Sequence, residues 1–409
     1  PRSFSLFFIE KQFLDASSFS YLPKIKTHGI RGADISGISF HDCFIPDSAL
    51  VGPQGFALES TLKGFQTTRT IIPAISLGAA DTALRSTLRF ALSRRLYNGS
   101  VFSIPEARRV LVDAFIQLLV CDCVALAAAR SLHLAPSQMS VSSAVAKFFV
   151  PSQIEVAIAD LAVVMGARHF LREGHDFGLF QKFMRDNAIA GLFDGSTVIN
   201  LNGIAQQLQQ IWRYPRKHEP QNPDEIISSL KNIFCLREPL PDFDPDRLEL
   251  TNRGRDDITQ SLPFFPALQS QEFNSINPHT LGNLLKLIEE IIQEFNKQRQ
   301  ELMSLTRHPG NTFNQSPELF ALARRHCILH AAASCLWMWF FNRDHLSDFF
   351  AQGEWLVLGL NHLLRGLQPW RWEFFSSYYE SVGQHLLSLQ KEDRLFSIFP
   401  IQLARSQEL

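Results

Sequence analysis

The chain has 409 residues, 45% apolar and 19% charged, with 39 Lys and Arg against 40 Asp and Glu. A net charge of −1 argues against a non-specific nucleic-acid binder, which would be basic, and 35 Phe supply more burial than a disordered chain would carry. At roughly 150 residues per domain, the length predicts two to three domains.

Residues 1–52 carry the texture of strands and turns. Ser5-Leu6-Phe7-Phe8-Ile9 is a short apolar run, Ile35 to Phe40 mixes β-branched residues with Gly37, and Gly29, Gly32, Pro46 and Gly52 punctuate the stretch. From about Gly55 the pattern becomes helical. Residues 56–92 show apolar spacings of three and four up to the Asn98-Gly99 turn signal. A second helix opens at Pro105 with Ser103 as its expected cap and runs to about Leu134. A third spans Ser137 to Met165, where Pro151 predicts a kink or break. Shorter helices are expected near 177–190 and 194–210, so 53–211 reads as a helical bundle.

Residues 212–277 hold Pro215, Pro220, Pro223, Pro239, Pro241 and Pro245 among many charges, which predicts a linker with one helix at 223–235. Residues 278–409 read as a second helical region. Leu284, Leu287, Ile288, Ile291, Ile292 and Phe295 form a stripe within 281–305. Ser316-Pro317-Glu318 starts the next helix, and two more are expected near 344–366 and 370–392. The most apolar stretch, Cys327 to Phe341, is shorter than the roughly 20 residues that span a bilayer. Trp337, Trp339, Phe340, Phe341, Phe349, Phe350, Trp355, Trp370 and Trp372 suit a buried core, the expected reading, or a peripheral contact with a membrane. Six scattered Cys match neither a disulfide scaffold nor a zinc site, so buried thiols in a cytoplasmic setting are expected. His326 and His330 stand at i, i+4, but with no Glu between them they read as structural, and no metal is expected.

The segment Met184-Arg185-Asp186 followed by Asp194-Gly195-Ser196-Thr197 carries the chemistry. Taken locally, Asp194 is a plain helix N-cap. The segment also resembles the acyl-CoA dehydrogenase family, where Met-Arg-Asp precedes Tyr-Glu-Gly-Thr and the Glu is the catalytic base. Two further stretches agree. Gly29-Ile30-Arg31-Gly32 through Leu50-Val51-Gly52 looks like the end of the family's middle β-domain, and Arg94-Arg95-Leu96-Tyr97 looks like its Arg-x-x-Phe turn.

The resemblance, which covers residues 1 to about 211, implies a mainly α fold. The end of a β-barrel-like middle domain (1–52) would precede an acyl-CoA dehydrogenase-type four-helix bundle (53–211). The last region (278–409) resembles in kind the extra helical domain of very-long-chain acyl-CoA dehydrogenases. The implied activity is α,β-dehydrogenation of an acyl thioester, on CoA or a carrier protein, with FAD as cofactor. Asp194 would be the base. It stands where the family has Glu and is shorter by about 1.5 Å of reach against a contact range of roughly 2.6–3.2 Å. Phe65, Arg69, Phe193 and Gly195 would lie at the substrate. Arg94, Tyr97, Gly166 and Ser196 would contact FAD, with Arg94 reaching the pyrophosphate held by a neighbouring subunit. Val163 and Ala167 stand where the family often has Gln and Gly.

A homodimer or homotetramer and transfer of electrons to an electron-transfer flavoprotein are further implications. The family's first helical domain and first half of its β-domain have no counterpart here. A fragment, a split enzyme with an N-terminal partner chain, or an inactive copy is therefore expected. The alternatives are a flavin monooxygenase of the same fold and a non-catalytic helical interaction subunit.

Overall fold

The computed structural model describes residues 4–213, 223–268, 273, 276–305 and 316–404. Pro215 and Pro220 of the predicted linker lie outside them.

The N-terminal segment forms two short antiparallel ladders: β1 (Leu6–Phe7) and β2 (Phe19–Tyr21) pair with β4 (Leu50–Val51) and β3 (Ile38–Phe40) respectively. It docks on the helices through two of the three motifs that carried the resemblance. Ile30 N–H donates to the Asp186 carboxylate at 2.7 Å, and Arg185 donates to the His28 carbonyl at 2.6 Å. A Cβ on Gly29 would stand 2.3 Å from the Arg185 carbonyl oxygen, so only glycine allows this approach.

The predicted helix over 56–92 is two helices, α1 (Ala57–Ile71) and α2 (Pro73–Ser93). Pro73 lacks an N–H and suits the first position of a new helix. A hairpin follows, β5 (Arg95–Leu96) and β6 (Gly99–Ser100), turned by Tyr97 and Asn98 with φ of +50° and +66°. Two consecutive left-handed residues are what a type I′ turn demands. In α3 (Pro105–Leu134) Ser103 does not cap: Ile104 holds the N-cap position, and the Ser103 hydroxyl donates to the Ser100 carbonyl. The continuous α4 (Met139–Met165) passes through Pro151 without the expected break. Proline removes one N–H and crowds one carbonyl, while α4 is buried among α1, α2, α3 and α6 (Thr197–Trp212 in the last case), and that packing holds it as one helix. The short α5 (Leu179–Asn187) precedes α6.

By length and apolar content α3 and α4, rather than 327–341, would suffice to cross a bilayer. Here they form the centre of the bundle, with long runs of buried apolar residues from Leu111 to Leu132 and from Met139 to Met165.

The described part of the expected linker is packed. In α7 (Pro223–Phe234) Leu230 and Phe234 are fully buried. Asn252 bonds to Ser140 and Gln207, and Asp257, which opens α8 (Asp257–Gln260), bonds to Gln138. The remaining helices are α9 (Pro278–Leu305), α10 (Pro317–Asn342), α11 (Asp348–Gln352), α12 (Glu354–Leu367) and α13 (Ser376–Lys391). Ser316 caps α10 as expected, accepting from Leu319 N–H at 3.2 Å. Gly353, with φ of +75°, splits the predicted 344–366 helix into α11 and α12. The centre of this half is α10, packed on α3, α6, α9 and α12, and one apolar core runs from Ala79 to Ile398.

Most of the C-terminal aromatics belong to that core: Trp337, Trp339, Phe350 and Trp355 are buried, whereas Trp370 and Trp372 are 70% and 98% exposed. His326 and His330 turn inward from α10, and the buried Asp256 carboxylate lies between them at 2.9 and 3.4 Å.

Candidate active site

The candidate site is the turn between α5 and α6. Asp194 and Gly195 take φ of +52° and +103°, and Ser196 is the N-cap of α6, accepting from Ile199 N–H at 3.4 Å. Asp194 is therefore not the cap that local sequence indicated. With the first turn of α6 satisfied by Ser196, the half-buried Asp194 carboxylate is left without a hydrogen-bond donor among the described residues. A non-glycine residue at positive φ costs roughly 1–3 kcal/mol and tends to persist where surroundings over-determine it.

Here the surroundings are visible. From α1, Arg69 Nε donates to the Asp194 main-chain carbonyl at 2.8 Å, and its guanidinium lies 5.6 Å from the Phe65 ring centroid. Asn200 from α6 donates to the Gly195 and Ser196 carbonyls at 2.8 and 3.0 Å. A Cβ at position 195 would stand 2.9 Å from Arg69 Nη2, so a side chain there would push the guanidinium aside as well as strain the backbone. Burial lowers the pKa of Arg69, and the Asp194 charge opposes that shift.

The structure thus brings Phe65, Arg69, Phe193, Asp194 and Gly195 together. It adds a residue that sequence reasoning passed over. Lys147 of α4 is 1% exposed; its ammonium donates to the Ala190 carbonyl and lies 4.9 Å from the Phe193 ring centroid. A lone Lys in an Ala/Val-rich helix was the available signal, since lysine is almost never fully buried unless paired. By contrast Gln66, beside the site in sequence, is committed elsewhere: it is buried and donates to the Glu249 carbonyl at 2.7 Å.

Arg94, Tyr97 and Gly166 lie apart from this turn. Arg94 and Tyr97 are exposed on the β5–β6 hairpin, Tyr97 at 93%. Gly166 ends α4 with φ of +59°, and nothing stands within 4 Å of where its Cβ would be. Arg168, two residues on, lies 4.8 Å over the Phe90 ring near the end of α2, so the hairpin and Gly166 share one end of the bundle. Val163 is 80% exposed there.

The fold is of the acyl-CoA dehydrogenase type. Over 95% of this chain and 66% of the other, it superposes on an acyl-CoA dehydrogenase from Bacillus anthracis complexed with FAD, at a TM-score of 0.63 and 14% identity. Residues 54–209 match the family model of the acyl-CoA dehydrogenase C-terminal domain. A probable acyl-CoA dehydrogenase of Mycobacterium leprae is 25% identical over 195 residues, 48% of each chain. The human short-chain specific mitochondrial acyl-CoA dehydrogenase is 23% identical over 187 residues, 45% of this chain and 44% of its own length. The chain spans about half the length of the curated relatives it matches.

Proposed function

We propose that this chain serves a flavin-dependent acyl-CoA dehydrogenase in which Asp194 takes the α-proton of the acyl thioester. The observation that carries the reading is the Asp194 turn. Its main chain is held by Arg69 and Asn200, while its carboxylate accepts from no described donor and stays available to accept a proton. Arg69 supplies positive charge beside the group that changes charge, and the Phe65 and Phe193 rings lie against the two cations of the turn, Arg69 and Lys147.

The residues fit the cofactor in kind. Arg94 offers an exposed guanidinium suited to a pyrophosphate, Tyr97 an exposed aromatic face, Gly166 an open backbone approach, and Ser196 a hydroxyl whose proton is not used in capping. FAD, when bound, supplies the hydride acceptor. The relatives named above support the same reading. Further parts of it are a thioester carried by CoA or a carrier protein, an electron-transfer flavoprotein as acceptor, and a homodimer or homotetramer in which Arg94 serves a neighbouring subunit.

One observation favours a second reading, a non-catalytic helical interaction subunit: Val163 places an exposed apolar side chain where the family often offers Gln. The visible spectrum of the purified chain with FAD, before and after anaerobic addition of an acyl-CoA series, separates the two. Bound flavin that bleaches with one chain length, together with loss of solvent exchange at the acyl α-carbon in Asp194→Ala, is the expected result. Bound flavin that no acyl-CoA bleaches, or exchange that survives Asp194→Ala, overturns the proposed base; failure to retain flavin favours the second reading.

A further inference from the structure

Lys147 sits among buried apolar residues of α4. Burying a charge there carries a desolvation penalty that a Met of the same length would avoid. The ammonium is spent on one segment: it donates to the Ala190 carbonyl and faces the Phe193 ring. The charged groups that bear on it are Asp194, from the same turn, and Arg69, from α1.

We infer that Lys147 is a positioning residue that holds the start of the 190–195 turn through the Ala190 carbonyl and the Phe193 face, as Arg69 holds its end through the Asp194 carbonyl. This rests on the reading of Asp194 as the base and names what keeps it in place. The two cations approach from different helices, α4 and α1, and grip main-chain carbonyls four residues apart. Between them the chain must pass through the left-handed Asp194 and Gly195, a shape that non-glycine sequence does not favour unaided. Both grips use carbonyl oxygens, and neither consumes the carboxylate.

Burial pushes the Lys147 ammonium down to about 8, Arg69 adds to that shift, and Asp194 opposes it. The grip on Ala190 is therefore present at neutral pH and weakens as pH rises through that value.

The test uses the full chain with lysines labelled at Cε. Lys147 should titrate near pH 8, below the exposed lysines, and its midpoint should fall further in Asp194→Asn, which removes the opposing carboxylate. By amide hydrogen exchange, Lys147→Met should raise exchange across 188–196 roughly tenfold, the weight of one charge-assisted hydrogen bond. Amides of α3 should keep their protection, and Lys147→Arg should restore most of the lost protection in the turn. Unchanged exchange in Lys147→Met, or an unchanged Lys147 midpoint in Asp194→Asn, overturns the proposal. If Lys147→Met does not fold, the Asp194→Asn titration decides alone. Neither readout needs flavin or substrate, so a failure of Asp194 as base, seen in α-carbon exchange, is distinguishable from a failure of the Lys147 grip.

Discussion

At Gly195 two constraints coincide, a φ of +103° and the Arg69 guanidinium in the space of a Cβ. Gly195→Ala should displace Arg69 and lower turnover at least tenfold, while global stability falls by only about 1–2 kcal/mol. Turnover and urea unfolding measured on the same preparation check this, and a fall in stability alone would count against the Arg69 argument. Asp256 presents a different residue-scale case. Burial alone would raise its pKa, but His330 and His326 outweigh burial and hold it well below the usual carboxylate range. A carboxylate depressed in the folded state contributes stability that is complete above its unfolded value, roughly 3.9, and is lost as pH falls through the folded value. Asp256→Asn should therefore destabilise the chain by about 3–5 kcal/mol at neutral pH, because a buried pair loses one partner. The difference between wild type and variant should shrink below about pH 4. Urea midpoints from pH 7 downward measure it. The i, i+4 histidines were legible in the sequence, but their partner lies 70 residues away in a Pro-rich segment, so the buried group could not be read.

At the scale of elements, the end of α7 depends on one side chain. The buried Arg130 of α3 donates to the carbonyls of Asn232, Ile233, Cys235 and Glu238, at 2.6–2.9 Å. The last carbonyls of a helix have no partner within it, and here a guanidinium from another helix supplies the donors. Arg130→Met should release this end, cost about 2–4 kcal/mol by leaving buried carbonyls unpaired, and raise proteolytic cleavage after 223 in limited digestion. Element existence was legible from periodicity, as the stripe of α9 and the Ser316 cap of α10 show. Boundaries set by local chemistry were less so. Pro73 divides a continuous apolar pattern, and Pro151 fails to divide one, because packing around α4 outweighs the local preference of proline.

For the whole molecule, α10 packs against α3 and α6 as well as α9 and α12, and the core is continuous across both halves. Gly359 of α12 would place a Cβ 3.1 Å from Val120 of α3, so these two helices from the two halves approach closely. The described chain from α1 to α13 should therefore unfold in one calorimetric transition, with no separate melting of 278–404. Two resolved transitions would show that the shared core does not couple them. Truncation at 213 should give an aggregating product, since it strips the cover from apolar residues of α3 and α6. Light scattering after refolding is the measurement.

Composition and periodicity determined the helical class and the order of the elements, because hydrophobic spacing and turn chemistry are local and survive in a single sequence, whereas the candidate base came from three short motifs only through their resemblance to the acyl-CoA dehydrogenase family. The docking of Gly29-Ile30 on Arg185-Asp186, the packed course of 223–268, and the grip of Lys147 and Arg69 on the Asp194 turn were decided by tertiary structure alone. Each joins residues from 43 to 157 positions apart. What sets them is which carbonyl or carboxylate a buried donor meets, and no local pattern records that.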